Sequence, residues 1–182
     1  MLSTPLTDDA ELRALEPWLA AEFAAHVAAA RDHLMEWLPW GVDAAEEGGA
    51  RKLLQRYADL QADGQGRIFG VWVGGTLAGG TLFRVWEEKS GTCELGVWLA
   101  PEYVGRGLIT RASTLMIDWA LRVRGMHRVE WRCAPGNTRS SAVARRLGMT
   151  REGVLRQAFP LRGERHDVEV WSLLATEWPV GG

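Results

Sequence analysis

Apolar and polar positions change their period several times along the chain, and each change marks an element. Between Thr92 and Ala100, Cys93, Leu95, Val97 and Leu99 alternate with Glu94, Gly96, Trp98 and Ala100, the period of a strand buried on one or both faces. Pro101 ends that strand, because it cannot donate to a ladder. From Leu108 the pattern becomes helical: Leu108, Leu115, Met116, Trp119 and Val123 fall on one face, and the helix is expected to end near Arg124–Gly125. A glycine-flanked turn, Gly105-Arg106-Gly107, joins strand to helix.

The same rule organises the rest. Ala10 to Leu15 reads as a first strand after a short polar leader, and Pro17 opens a helix through WLAAEFAAHVAAA. The helical pattern continues from Arg31 to Trp37, where Pro39 stops it. Asp43 starts a further helix that Gly64 terminates. RIFGVWV from Arg67 and TLAGGTLFRVW from Thr76 flank a Gly74-Gly75 turn and form a hairpin. HRVEWRC is another strand, closed by Pro135-Gly136, and Asn137 begins a helix that Gly148 caps. Two final strands, about Thr150 to Phe159 and Asp167 to Ala175, flank LRGER. The order predicts an α/β (α+β) fold: one domain over residues 1–182, with a mixed, mostly antiparallel sheet of about seven strands flanked by helices.

Composition narrows the class. A chain of 182 residues with 47% hydrophobic and 24% charged residues is ordinary for a soluble globular domain. The net charge of -2 gives no global reason to expect nucleic acid or an anionic membrane. The N-terminus lacks a signal-peptide pattern, and no apolar run reaches the roughly 18 residues of a membrane span, so a cytoplasmic protein is expected. Cys93 and Cys133 fall in predicted strands without metal-ligand spacing and are expected as buried thiols. His26, His33, His127 and His166 are dispersed, and no metal is assigned.

The strand–turn–helix junction is the first candidate for chemistry. Unpaired N–H groups and the positive end of the helix dipole favour an anion there, glycines let it approach the backbone, and Arg106 adds a charge. A pyrophosphate would suit it; a plain turn is the alternative. Glu94 is conspicuous as an acid inside an apolar strand, where it needs an Arg, a donor or a solvated cleft. It could accept a proton as a general base, or serve as a structural partner of an arginine. Asn137 suits a helix N-cap, which would place Ser140 in the first turn.

Four segments together resemble the GNAT superfamily of N-acetyltransferases, in the branch that includes the ribosomal-protein N-terminal acetyltransferases: HLMEWLPW (His33 to Trp40), ELGVWLAPEYVGRGLIT (Glu94 to Thr110), NTRSSAVARRLGM (Asn137 to Met149) and REGVLRQAFPLRGERHDVEVWSLL (Arg151 to Leu174). The resemblance implies acetyl-CoA as acyl donor and direct transfer of its acetyl group to a primary amine, on a protein N-terminus or a small molecule, in a ternary complex. It implies that the CoA pyrophosphate lies at Val104, Gly105, Arg106, Gly107, Leu108, Ile109 and Thr110, and pantetheine along Val97, Trp98 and Leu99, one of whose N–H groups would stabilise the oxyanion. Asn137 would contact pantetheine, and Ser140 would lie near the sulfur and assist the departing thiolate; Glu94 would act on the amine, directly or through water.

Trp37 and Trp40 would border the acceptor, although core packing is the ordinary fate of tryptophan. Three positions depart from the family pattern: Val104 replaces a polar residue, Ile109 a small one, and Phe159 follows Arg156-Gln157-Ala158 where ribosomal-protein members can carry a carboxylate. Glu152, Glu164 and Asp167 are nearby in sequence but do not occupy that place. Dimerisation is common among similar proteins, so a homodimer is compatible with the resemblance. Two other readings stay open: transfer from a different acyl-CoA such as succinyl-CoA, and an acyl-CoA-binding module without transfer.

Overall fold

The computed structural model describes residues 3–38 and 41–179, with backbone alone at 41 and 42. Eight strands form one sheet, in the order β1-β2-β3-β4-β5-β6-β8-β7. They are β1 (Thr4–Thr7), β2 (Ala10–Ala14), β3 (Ile68–Val73), β4 (Thr76–Glu87), β5 (Thr92–Leu99), β6 (Arg128–Cys133), β7 (Thr150–Leu161) and β8 (Glu164–Leu174). The strand beyond the expected count is β1, in the segment read as a polar leader. It is four residues long, carries Pro5 and buries only Leu6, so it lacks the alternation that marks a strand in sequence; an edge position accommodates its proline.

β5 and β6 are parallel, joined through α5 (Leu108–Asp118), while β1–β2, β2–β3, β3–β4, β6–β8 and β7–β8 pair antiparallel. The remaining helices are α1 (Ala20–Ala29), α2 (Arg31–Met35), α3 (Gly41–Ala44), α4 (Glu47–Ala62) and α6 (Thr138–Arg146). The single helix expected from Asp43 is therefore two, since Glu46 is extended (φ -104°, ψ 139°) between α3 and α4.

The residues cluster into two compact units. The first comprises 1–82 and 97–112. Here α1 presents Ala20, Phe23, Ala24 and Val27 at helical spacing, and these pack with Leu54 and Tyr57 of α4 and with Ile68, Trp72, Leu77 and Trp98 of the sheet. Burying each large apolar side chain contributes about 1.5–3 kcal/mol. Gly80 of β4 is required by the fit: a Cβ there would overlap the Trp98 ring and the Phe69 carbonyl oxygen. Trp98 in turn meets Phe23 edge-on, with ring centroids 5.9 Å apart.

The second unit comprises 83–96 and 113–182. Its interior holds Leu95, Ile117, Val129, Trp131 and Leu173. α5 continues into a wider π-helical turn at Trp119–Val123, and the Trp119 ring packs against Phe83 and Trp86, with the Arg124 guanidinium over both indoles. The β7–β8 hairpin turns at Arg162 and Gly163, both left-handed (φ 53° and 80°), as a two-residue turn with twist matching its strands requires.

Candidate active site

The glycine turn between β5 and α5 is built from backbone geometry. Gly105 and Gly107 have φ of 89° and 72°, a region that favours glycine, and a Cβ at either would meet nothing within 4 Å. Conformation, not crowding, therefore requires them. Leu108 and Ile109 are buried and anchor the first turn of α5, whose first capping bond runs from the Arg111 N–H to the Gly107 carbonyl. Ile109, bulky where the family pattern is small, is thus a core residue. Val104 is exposed and extended. Arg106 does not simply extend its charge into solvent: its Nη2 donates to both carboxylate oxygens of Asp9, at 2.8 and 2.7 Å, and this bond lowers the Asp9 pKa.

On β5, the ladder to β6 runs from Thr92↔Arg128 to Leu95↔Trp131. Val97 and Leu99, beyond it, are half-buried, and Trp98 is buried. The Trp98 side chain is committed to the core, so a ligand at this residue would meet main chain.

Glu94 lies on the same strand and is 4% exposed. Arg84 of β4 stands 3.2 Å from it and Arg132 of β6 3.5 Å. Its register partner on β6 is Glu130, which Arg132 also meets at 3.0 Å. Burial pushes the Glu94 pKa up; the two guanidiniums oppose this, and Glu130 adds to it. The charges continue across the sheet: Arg128 meets Glu130 at 2.9 Å and Glu152 at 2.5 Å, and the Ser172 hydroxyl donates to Glu152. Glu130 is held low by Arg128 and Arg132 although burial opposes it, and the Arg128 and Ser172 hydrogen bonds hold Glu152 down to about 2. This alternating chain over five strands depends on strand register, which local sequence patterns do not display.

Asn137 caps α6 as its residue type suggests, with Oδ1 accepting from the Ser140 N–H at 3.1 Å. The Ser140 hydroxyl oxygen accepts from the Trp131 indole N–H at 2.9 Å, which leaves its own proton to donate. Trp131, on β6, is a residue that the sequence reading passed over. Cys133, two residues on, is held up to about 11 by burial; hydrogen bonding with Ser140 lowers it and Glu169 raises it. Burial pushes Cys93 up to about 12. Both thiols are free and protonated near neutrality, so neither is activated as a nucleophile.

Trp37 is half-buried just after α2, and Trp40 lies outside the described residues. A hollow of about 700 Å³ opens instead along the β7–β8 hairpin, lined by Leu155, Arg156, Gln157 and Asp167. Among the described residues no group of three or more His, Cys, Asp or Glu is arranged to hold a metal, and no helix is long and apolar enough to cross a membrane.

Comparison with known proteins gives a consistent answer. Residues 10–150 match the family described as the acetyltransferase (GNAT) domain. The chain is 30% identical over 183 aligned residues to the putative ribosomal N-acetyltransferase YdaF of Bacillus subtilis, covering 98% of both chains. It is 29% identical to the ribosomal-protein-serine acetyltransferase of Escherichia coli, covering 76% of this chain and 78% of that one. Among solved structures, a ribosomal L7/L12 alpha-N-protein acetyltransferase in complex with coenzyme A superposes with a TM-score of 0.89 at 25% identity, over 94% of this chain and 97% of the other.

Proposed function

The chain belongs to the GNAT acetyltransferase family, and on that footing we propose that it acetylates the N-terminal amine of a protein, using acetyl-CoA. Acetyl-CoA-dependent N-acetyl transfer is the activity of the family; the protein acceptor is the reading favoured by relatives named for ribosomal proteins. The observation that carries the reading is the turn at Val104–Thr110, where Gly105 and Gly107 take left-handed conformations at the start of α5. That geometry supports anion binding by main-chain N–H groups.

Each residue then has a role. The backbone at Val97, Trp98 and Leu99 receives pantetheine, and an N–H near Leu99 polarises the thioester carbonyl. Glu94, directly or through a water, takes the proton that the attacking amine must lose, and its raised pKa moves it towards the range of a useful base. Ser140 donates its hydroxyl proton or hydrogen bond to the leaving thiolate, its oxygen held by Trp131. Asn137 fixes that turn and contacts pantetheine, while Trp37 and Trp40 border the acceptor. Transfer is direct: the protonated Cys93 and Cys133 argue against an acyl-cysteine step. One catalytic domain over the whole chain, a cytoplasmic setting and a homodimer complete the reading.

CoA release measured over a panel of peptides with free N-termini, small amines and amino acids tests it. Release that depends on a peptide amine and fails when the amine is blocked is the expected result. Tight CoA binding with no acceptor-dependent release would overturn it in favour of a binding module, and preference for succinyl-CoA would reassign the donor.

A further inference from the structure

We propose that Asp9, in the β1–β2 turn, is a positioning residue for the cofactor: acting through Arg106, it holds the glycine turn in the shape that receives the CoA pyrophosphate. The inference rests on the CoA-binding reading of that turn given above and names the group that keeps the turn in shape.

Gly105 and Gly107 permit the bend but do not enforce it. Their φ values of 89° and 72° suit glycine, yet a Cβ at either would meet nothing within 4 Å, so the space beside them is open. Glycine also loses the most conformational freedom when its backbone is fixed. The flanks help unequally: Leu108 is buried and anchors the helix start, whereas Val104 is exposed. Within the Gly105-Arg106-Gly107 turn the one side chain able to act as a tether is that of Arg106.

That tether reaches across the fold. Arg106 Nη2 donates to both carboxylate oxygens of Asp9, 97 positions away in sequence, at 2.8 and 2.7 Å. Asp9 is itself fixed, because the Thr7 hydroxyl donates to its Oδ1 at 2.9 Å and its carbonyl accepts from the Gly74 N–H at 2.9 Å. Three turns distant in sequence, at 8–9, 74–75 and 105–107, are thereby joined within the first compact unit. The short edge hairpin of β1 and β2 is what carries Asp9 to the glycine turn. Labour is divided: the guanidinium is engaged by Asp9, and the anion is left to main-chain N–H groups whose direction is set beforehand. Fixing that direction in advance lowers the ordering cost of binding.

The test is a double-mutant cycle of Asp9→Ala and Arg106→Ala, read by calorimetric titration of CoA into wild type, each single variant and the double. Asp9→Ala should weaken CoA binding about three- to fivefold, the upper range for a partly exposed ion pair, and should add nothing in the Arg106→Ala background. The acceptor KM, measured with an amine found active in the panel, should stay at its wild-type value. Tighter CoA binding by Asp9→Ala overturns the proposal, because Asp9 would then compete with the cofactor for the guanidinium. A loss below about threefold overturns it too, as does an undiminished loss in the Arg106→Ala background or an equal rise in the acceptor KM. Backbone amide relaxation gives a readout that a pair serving only overall stability would not move: order parameters at Gly105–Gly107 should fall in Asp9→Ala while those within α5 hold, and unchanged values at the turn overturn the proposal. In wild type, titrated CoA should shift the amides of Gly105–Thr110. Shifts there with a flat cycle would sink the role of Asp9 while leaving the CoA-binding reading intact. An absence of CoA binding, or binding with shifts confined elsewhere, would sink both.

Discussion

Replacing Glu94 by glutamine separates a catalytic carboxylate from a structural one, because the two roles predict losses of different kinds. As general base, Glu94 contributes on the order of 10²- to 10⁴-fold to kcat, or about 2.7–5.4 kcal/mol of barrier. As an ion-pair partner its loss is small. The carboxylate is 4% exposed, but the Arg84 and Arg132 side chains that meet it are 52% and 39% exposed and can turn their guanidiniums to water. The roughly 3–5 kcal/mol penalty for orphaning a fully buried charge therefore does not apply, and about 1 kcal/mol or less is expected.

The pH dependence has a definite sign. Burial raises the folded-state pKa of Glu94 above its unfolded value of 4.5, so the folded protein holds that proton more tightly. Ionisation of Glu94 then opposes folding as pH rises through the window above 4.5, and Glu94→Gln should gain on wild type in stability over that window. Turnover should run the other way: the wild-type rate climbs as Glu94 ionises and then levels, whereas the variant lacks that limb and falls furthest behind at high pH. Continuous thiol detection of CoA release over roughly pH 5–9, with urea unfolding at each end, measures both. A kcat within threefold of wild type across the range refutes the base; a stability loss above about 3 kcal/mol refutes the claim that the arginines are easily resolvated.

Trp131→Phe removes the donor that holds Ser140 while keeping most of the aromatic bulk; turnover should fall about tenfold with CoA affinity nearly unchanged, and the substitution should add little in a Ser140→Ala background, as a double-mutant cycle would read. Gly80→Ala forces a methyl into the Trp98 ring and the Phe69 carbonyl, and should cost about 1–3 kcal/mol by urea unfolding. Glu152, held down to about 2 by Arg128 and Ser172, contributes stability that is present above 4.5 and is lost as pH falls towards 2. Glu152→Gln should therefore flatten the acid limb of melting temperature against pH, and an unaltered slope would show that the pair is fully screened by solvent.

What was legible in the sequence was what local patterns encode. Alternation at Cys93–Leu99, the helical spacing from Leu108 and the Asn137 cap each depend on neighbours in the chain, and each stands where it was expected. β1 escaped because four residues with one inward apolar side chain carry no period. The partners of Glu94 escaped for another reason: Arg84, Arg132 and Glu130 come from two other strands, and only pairing in register brings them to it. The contacts of Gln157, whose N–H donates to Asp167 and whose carbonyl accepts from Arg165, are hidden twice over, since they require both the β7–β8 register and a left-handed conformation (φ 52°) at a residue that gives no sign of it in sequence.

On the function proposed above, the glycine turn would keep its chemistry despite an imperfect motif. Of its side chains that differ from or add to the family pattern, Val104 is apolar, Ile109 is buried in the core, and Arg106 is engaged by Asp9. A site that relied on side chains would be compromised at each of these positions. Anion binding at a helix N-terminus relies instead on main-chain N–H groups and the helix dipole, and what those require is the direction of the backbone. Gly105 and Gly107 supply that direction through their positive φ, and Leu108 supplies a fixed helix start by its burial. An apolar Val104 would cost that proposed site a peripheral contact, and the pairing of Arg106 with Asp9 tempers the local charge. Neither alters the geometry on which the proposed binding would depend.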